Sequence, residues 1–240
     1  MLSTREVSEL EVCEKSHIGH VYNSSYMNFL IRVPLNTSAE QHARLCELRA
    51  VFAQVCNELA PLVQQTQVWN RVALHHLYYR ALRLKFPLLG SQMVCNAIYA
   101  VSKMARLIYQ HPASPYNLTK RAGLPLPLLK FADSCPVYFD RHTLGIKHNQ
   151  LSLFTMDGRM RFDLTLEADK LALFDSAKLK EIVLDEQLDK TFRLSFQLES
   201  SEPLEAQLAD EAHVPDEASA DMGLPVPQFP KYVSVEVAAS

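Results

Sequence analysis

Glycine is scarce: six occur in 240 residues. That supply does not build the glycine-rich loops that cradle nucleotide phosphates. No Gly-x-Ser-x-Gly elbow, phosphate-binding loop or His-Glu-x-x-His occurs. Serine-hydrolase, P-loop and zinc-protease chemistries therefore lack their motifs. The five cysteines (Cys13, Cys46, Cys56, Cys95, Cys135) form no Cys-x-x-Cys pair, which argues against zinc knuckles and ribbons. No run approaches the roughly 18 apolar residues of a membrane-spanning helix. The acidic N-terminus lacks the apolar stretch of a signal peptide and has no transit-peptide character. With unpaired cysteines, this points to a reducing cytoplasm. Cys13, His17 and His20 are the one cluster of metal-ligand types along the chain. A segment without fixed structure is the preferred reading there, and no metal or cofactor is expected.

Charge is unevenly spread. Residues 199 to 222 hold eight acids and no Lys or Arg. The rest of the chain carries 24 bases against 19 acids, the 27 of the whole less those eight. A basic body with an acidic run fits an anionic partner, though many proteins without one look alike.

The pattern along the chain is strand, three helices, then several strands. Residues 26 to 35, aromatic and branched up to Pro34, read as a strand. Thr37 and Glu40 have the spacing of a capping box. Leu45, Leu48, Phe52, Val55, Leu59 and Leu62 follow in steps of three and four, the seam of a helix packed along another. Pro61 should kink or end that helix. A second helix runs from about Asn70 to Phe86, where Pro87 stops it. Leu74, Leu77, Ala81 and Leu84 share one side of it, with His75, His76, Tyr79, Arg80 and Arg83 opposite. The third runs from Ser91 to about Gln110. Its apolar side is Val94, Ala97, Ile98, Val101, Ala105 and Ile108; Asn96, Tyr99, Lys103, Arg106 and Gln110 lie opposite.

After His111, prolines mark an irregular linker, and then period-two patterns begin. Strands are expected at 137–139, 144–146, 151–155, 160–164, 181–184 and 191–196, with a hairpin turn at Asp157-Gly158. The strand at 26–35 must pair with these later ones. The fold class is thus α+β, an antiparallel β-barrel interrupted by a three-helix bundle. Its parts are an N-terminal segment (1–24), the barrel (25–36 and 112–198), the helical insert (37–111), and an acidic linker with a closing strand (199–240).

From Asn70 to Gln110 no Asp or Glu occurs, whereas solvated helix faces normally mix both signs. Guanidinium and ammonium groups hold phosphates, aromatic rings stack on unpaired bases, and amides read base edges. Solvated faces of an ordinary bundle are the competing reading.

The string "LNTSAEQ", a long helix with Asn57, "LHHLYYRALRLKFPLLGSQM" and "AIYAVSKMARLIY" resembles the N-terminal half of TnpB. That family comprises the transposon-encoded RNA-guided endonucleases from which type V CRISPR effectors descend. The later "VYFDRHTLGIKHNQLSLFTMDGRMRFDL" looks like the family's barrel, so the resemblance spans residues 26 to 198. It implies that the helices are a recognition lobe and the barrel an OB-like wedge domain. Together they would hold a structured guide RNA and target DNA. By resemblance, Tyr79, Arg80, Arg83, Lys103 and Arg106 are candidates for nucleic-acid contact, with Asn96 and Tyr99 on the same polar face. His75, His76, Asn70 and Gln92 are weaker candidates. His75 and Asn70 alternatively pack at the helix–barrel join, and Gln92 alternatively braces the third helix. Tyr138, Asp140 and Arg141 match the barrel motif, where an Asp140–Arg141 pair is expected to be structural.

The family cuts DNA with a RuvC-like domain whose spaced carboxylates hold two metal ions. The final "VSVEVAAS" looks like an eroded first strand of that domain, with Glu236 in place of its aspartate. A disordered tail is an equal alternative. One glutamate cannot hold two metals, so no catalytic residue is expected. Three functions follow as expectations. The first is an RNA-guided, nuclease-deficient DNA-binding protein. The second is the binding half of a split nuclease with its RuvC domain supplied in trans. The third is an adaptor in a larger complex.

Overall fold

The computed structural model describes residues 10–12, 28–147, 149–164, 166–200 and 227–237. Cys13, His17, His20 and residues 201–226, which hold most of the acidic run, lie outside the described residues. Ten strands are described: β1 (Leu10–Val12), β2 (Asn28–Leu35), β3 (Leu128–Phe131), β4 (Val137–Phe139), β5 (Leu144–Lys147), β6 (Gln150–Thr155), β7 (Gly158–Asp163), β8 (Lys178–Glu186), β9 (Phe192–Glu199) and β10 (Val233–Glu236). The helices are α1 (Ala39–Thr66), α2 (Arg71–Lys85), α3 (Ser91–Ala105), which runs on into a π-helical turn (Arg106–Gln110), and α4 (Ala168–Ser176).

Strand β2 alternates as its sequence predicts, burying Ile31, Val33 and Leu35. It pairs antiparallel with β9 over its full length, from Asn28 opposite Glu199 to Leu35 opposite Phe192. The expected pairing of the early strand with the late ones is therefore present, and the helices interrupt a sheet. That sheet has the order β1-β2-β9-β8-β4. A second sheet is β5-β6-β7, and β10 pairs with β3 as a third. Thr155 opposes Gly158 across the β6–β7 turn, and Gly158 has φ +113°, which suits a residue without Cβ. The α+β class with antiparallel sheets holds. Among the described residues, however, the strands do not close into a barrel. At the β4 edge, where closure needs another strand, α3 packs instead.

Helix α1 starts one residue later than its sequence suggests. The capping box is Ser38 with Gln41: Gln41 N–H donates to Ser38 Oγ (3.2 Å), and Ser38 N–H donates to Gln41 Oε1 (2.9 Å). Leu45, Leu48, Phe52, Val55 and Leu59 are buried as the seam predicts. Pro61 neither ends the helix nor stops its burial. The chain continues because Val63 is buried and Gln64 Nε2 donates to the Leu126 carbonyl at 2.7 Å. Asn57 docks on β3, donating to and accepting from the Phe131 backbone at 2.8 Å each. Buried residues of the helices and of all three sheets belong to one hydrophobic cluster, so the helical insert shares its core with the strands. No helix among the described residues is long and apolar enough to cross a membrane.

Candidate nucleic-acid interface

Helix α3 is wrapped on both sides. Its apolar side is buried as predicted. Much of the opposite side is engaged, and Gln92, Asn96, Tyr99 and Lys103, at steps of four, three and four, meet the turn after β4, β4 itself and β8. Gln92 Nε2 donates to Asp140 Oδ2 at 2.5 Å. Asn96, 4% exposed, donates from Nδ2 to the Tyr138 carbonyl at 3.0 Å. Tyr99 Oη donates to Glu181 Oε1 at 2.7 Å. Lys103 Nζ donates to both oxygens of Glu181, at 2.7 and 2.8 Å. Glu181 is only 7% exposed, so its charge needs partners inside the fold. Lys103 also lies 5.3 Å from the centroid of the Tyr138 ring. Gln92, Asn96, Tyr99 and Lys103, expected to face a polyanion, thus use these polar groups to join helix to sheet, while Tyr99 and Lys103 keep part of their surface open. Burial pushes the Tyr99 phenol up, and its hydrogen bond to Glu181 adds to the rise.

Helix α2 is turned relative to its expected orientation. Leu74 and Leu82 are buried, while Leu77 is 57% and Leu84 78% exposed. The inward side is completed by Tyr78 and Phe86, which pack partly buried against the core. Leucines occupy several sides of this helix, so leucine spacing alone misplaces its buried face. Asn70 is the N-cap, its Oδ1 accepting from Val72 N–H (3.0 Å) and Ala73 N–H (3.1 Å). Arg83 turns back to donate to the carbonyls of Phe86 and Leu89, so it closes the α2–α3 turn. Asp140 does not pair with Arg141 in the described structure. Its Oδ1 instead accepts from the backbone of His142 and Thr143 and from the Thr143 hydroxyl, building the turn into β5.

Of the remaining candidates, His76, Arg80 and Arg106 are exposed, while His75 and Tyr79 are half-buried, Tyr79 against the core. His75 stacks on Tyr79 with ring centroids 4.6 Å apart and planes 18° apart, and His76 meets His75 edge-on. Arg80 and Arg106 are exposed, as is Arg71, which the sequence reading missed. Arg71 lies over the Tyr99 ring at 5.2 Å, so the phenol that anchors Glu181 also carries a cation on its outer face. Among the described residues, none of these three arginines forms an ion pair. Arg106 and Gln110 stand between two shallow hollows. Tyr99, Met104, Leu107 and His111 help line one; Trp69 and Asn70 help line the other. Trp69, next to the α2 cap, was the available signal for this corner; Glu181, 78 positions from Lys103, left none.

A second basic surface lies beside the α2–α3 turn. Cross-strand register puts Lys147, Arg159 and Arg161 on one face of β5–β7, with Asp163 and Phe154 among them. A Cβ on Gly90, in the α2–α3 turn, would lie 2.7 Å from Phe154 Cε1, so helix turn and sheet face abut. The residue pattern can hold phosphates and stack bases. His42, Cys46 and Glu186 bring ligand-type atoms within 4.8 Å of one another. The Glu186 carboxylate, however, is already met by Arg49 at 2.7 Å and His42 at 3.3 Å. No family model matches the chain, and no curated protein matches it significantly.

Proposed function

We propose that this chain binds a structured guide RNA and, through it, a matching DNA site. In this reading it is a nuclease-deficient relative of TnpB that acts by occupancy, as in repression, targeting or recruitment. Base pairing would choose the sequence, while the protein holds the shape and backbone of the nucleic acid. One observation carries the reading. Arg71, Arg80 and Arg106 are exposed and, among the described residues, without acidic partners, on the elements that carry Tyr79, His75 and Trp69, and residues 70–110 contain no acid. The nearest buried acid, Glu181, is taken up by Lys103 and Tyr99. Free cations beside aromatic rings suit phosphates and unpaired bases. The strand–helices–strands order supports the resemblance, with the open sheets standing for an OB-like wedge domain.

A second reading, an adaptor that docks another protein, is favoured by Leu77, Leu84 and Leu88, all more than half exposed on or beside α2. Binding of a structured RNA stem-loop, measured across a salt series, separates the two. Charge reversal at Arg71, Arg80 and Arg106 should weaken RNA binding more than tenfold. It should also flatten the slope of log affinity against log salt by roughly 2 to 3. Salt-insensitive or absent RNA binding would refute the first reading.

A further inference from the structure

The π-helical turn after α3 is closed by His111 N–H donating to the Arg106 carbonyl at 3.1 Å. Such turns insert one residue into a helix and recur at functional sites. Here the turn borders a hollow lined by Tyr99, Met104, Leu107 and Lys103, whose ammonium is engaged by Glu181, and edged by Arg106, Gln110 and His111. The hydrogen-bonding capacity of that edge is one-sided. Trp69 Nε1–H, which can only donate, takes Gln110 Oε1 at 3.4 Å, leaving the amide N–H groups of Gln110 free. Ala113 N–H donates to His111 Nδ1 at 3.2 Å, so the neutral ring carries its proton on Nε2. Both side chains have spent their acceptors inside the protein and keep donors. Arg106, unpaired among the described residues, is a third donor.

We propose that this hollow receives one unstacked RNA base, favouring guanine or uracil over adenine. The proposal rests on the RNA-binding reading. A flat ring covers the apolar floor, and Arg106 takes the adjoining phosphate. Gln110 and His111 donate to base carbonyls, which guanine and uracil have and adenine lacks. An acidic peptide would answer the donors but has no flat ring for the floor.

The test uses the full chain and three RNA stem-loops: fully paired, with one bulged uridine, and with one bulged adenosine. Fluorescence anisotropy at fixed salt should show the uridine bulge bound about tenfold tighter than the paired stem, with adenosine between them. Gln110→Ala, at an exposed position, should shrink the uridine-over-adenosine preference and the double variant with His111→Ala should abolish it, with thermal denaturation checking that each is folded; an undiminished preference in the double variant overturns the inference. Equal, salt-sensitive binding of all three stems overturns the inference and leaves the RNA reading standing. No binding to any stem overturns both. Displacement of the bulged RNA by a poly-glutamate peptide of matched affinity also overturns the inference, in favour of an acidic protein partner.

Discussion

Lys103 and Arg106 lie three residues apart on one helix with the same charge, and their surroundings give them different work. Lys103 neutralises a carboxylate that is 7% exposed, whereas Arg106 is exposed and meets no acid among the described residues. Removing a partner from a buried charge is costly because the remaining charge cannot recover its hydration. Lys103 is itself partly open to water, and Tyr99 still donates to Glu181 in its absence, so the cost is moderated. Lys103→Met should therefore destabilise the fold by about 2 kcal/mol, a fall of about 4 to 8 °C in melting temperature. Arg106→Met should leave the melting temperature within about 1 °C. Thermal denaturation of the two variants at neutral pH checks both. Equal melting temperatures would show that Lys103 does not hold Glu181 in the fold.

At the scale of elements, α2 separates what residue spacing reveals from what it hides. Both ends of the helix are readable: Asn70 caps it, and it stops before Pro87. Its buried face is not, because leucines lie on several sides and Tyr78 and Phe86 compete for the interior. The consequence is measurable. Leu74→Ala should cost about 3 kcal/mol, since Leu74 is fully buried and its removal leaves a cavity. Leu84→Ala, at 78% exposure, should change stability by less than about 0.5 kcal/mol. Urea unfolding of both gives the comparison, and similar losses would contradict the orientation of the helix. The same contrast runs through the other elements. Strand β2 and the β6–β7 hairpin are legible because one face is buried and the turn needs Asp157-Gly158. The polar side of α3 misleads, because its partners Asp140, Tyr138 and Glu181 lie 42 to 82 positions away, on β4, the turn after it and β8. Strand β3 is hidden just after a proline-rich linker. Helix α4 is a nine-residue element, and its fit depends on Phe174 meeting Phe196 edge-on at 5.0 Å. The candidate site divides likewise: the exposed arginines of α2 and the π-helical turn are visible as an acid-free stretch, while the buried half depends on a distant glutamate.

Across the whole molecule, phenols sit where helices meet sheets. Tyr99 donates to Glu181, Tyr109 Oη donates to the Pro127 carbonyl at 2.6 Å, and the hydroxyls of Tyr138 and Tyr232 lie 3.4 Å apart. Burial is the main cause that pushes all four phenols up, Tyr232 to about 12. An ordinary tyrosine titrates near 10. In the unfolded chain these phenols therefore ionise above about pH 10, while in the folded protein they remain neutral. Each contributes its stabilisation fully below the unfolded value and loses it as pH rises toward the folded one. The loss approaches about 1.4 kcal/mol per pH unit for each tyrosine so held. Stability should consequently fall steeply between about pH 10 and 12, with phenolate absorbance and loss of helical circular dichroism rising together. Tyr232→Phe removes one phenol that must ionise on unfolding. It should make the dependence of unfolding free energy on pH shallower by about one proton in that window. A variant with the parent slope would mean that Tyr232 ionises equally well in the folded protein, and that the seam between β10 and the body of the fold is open to water.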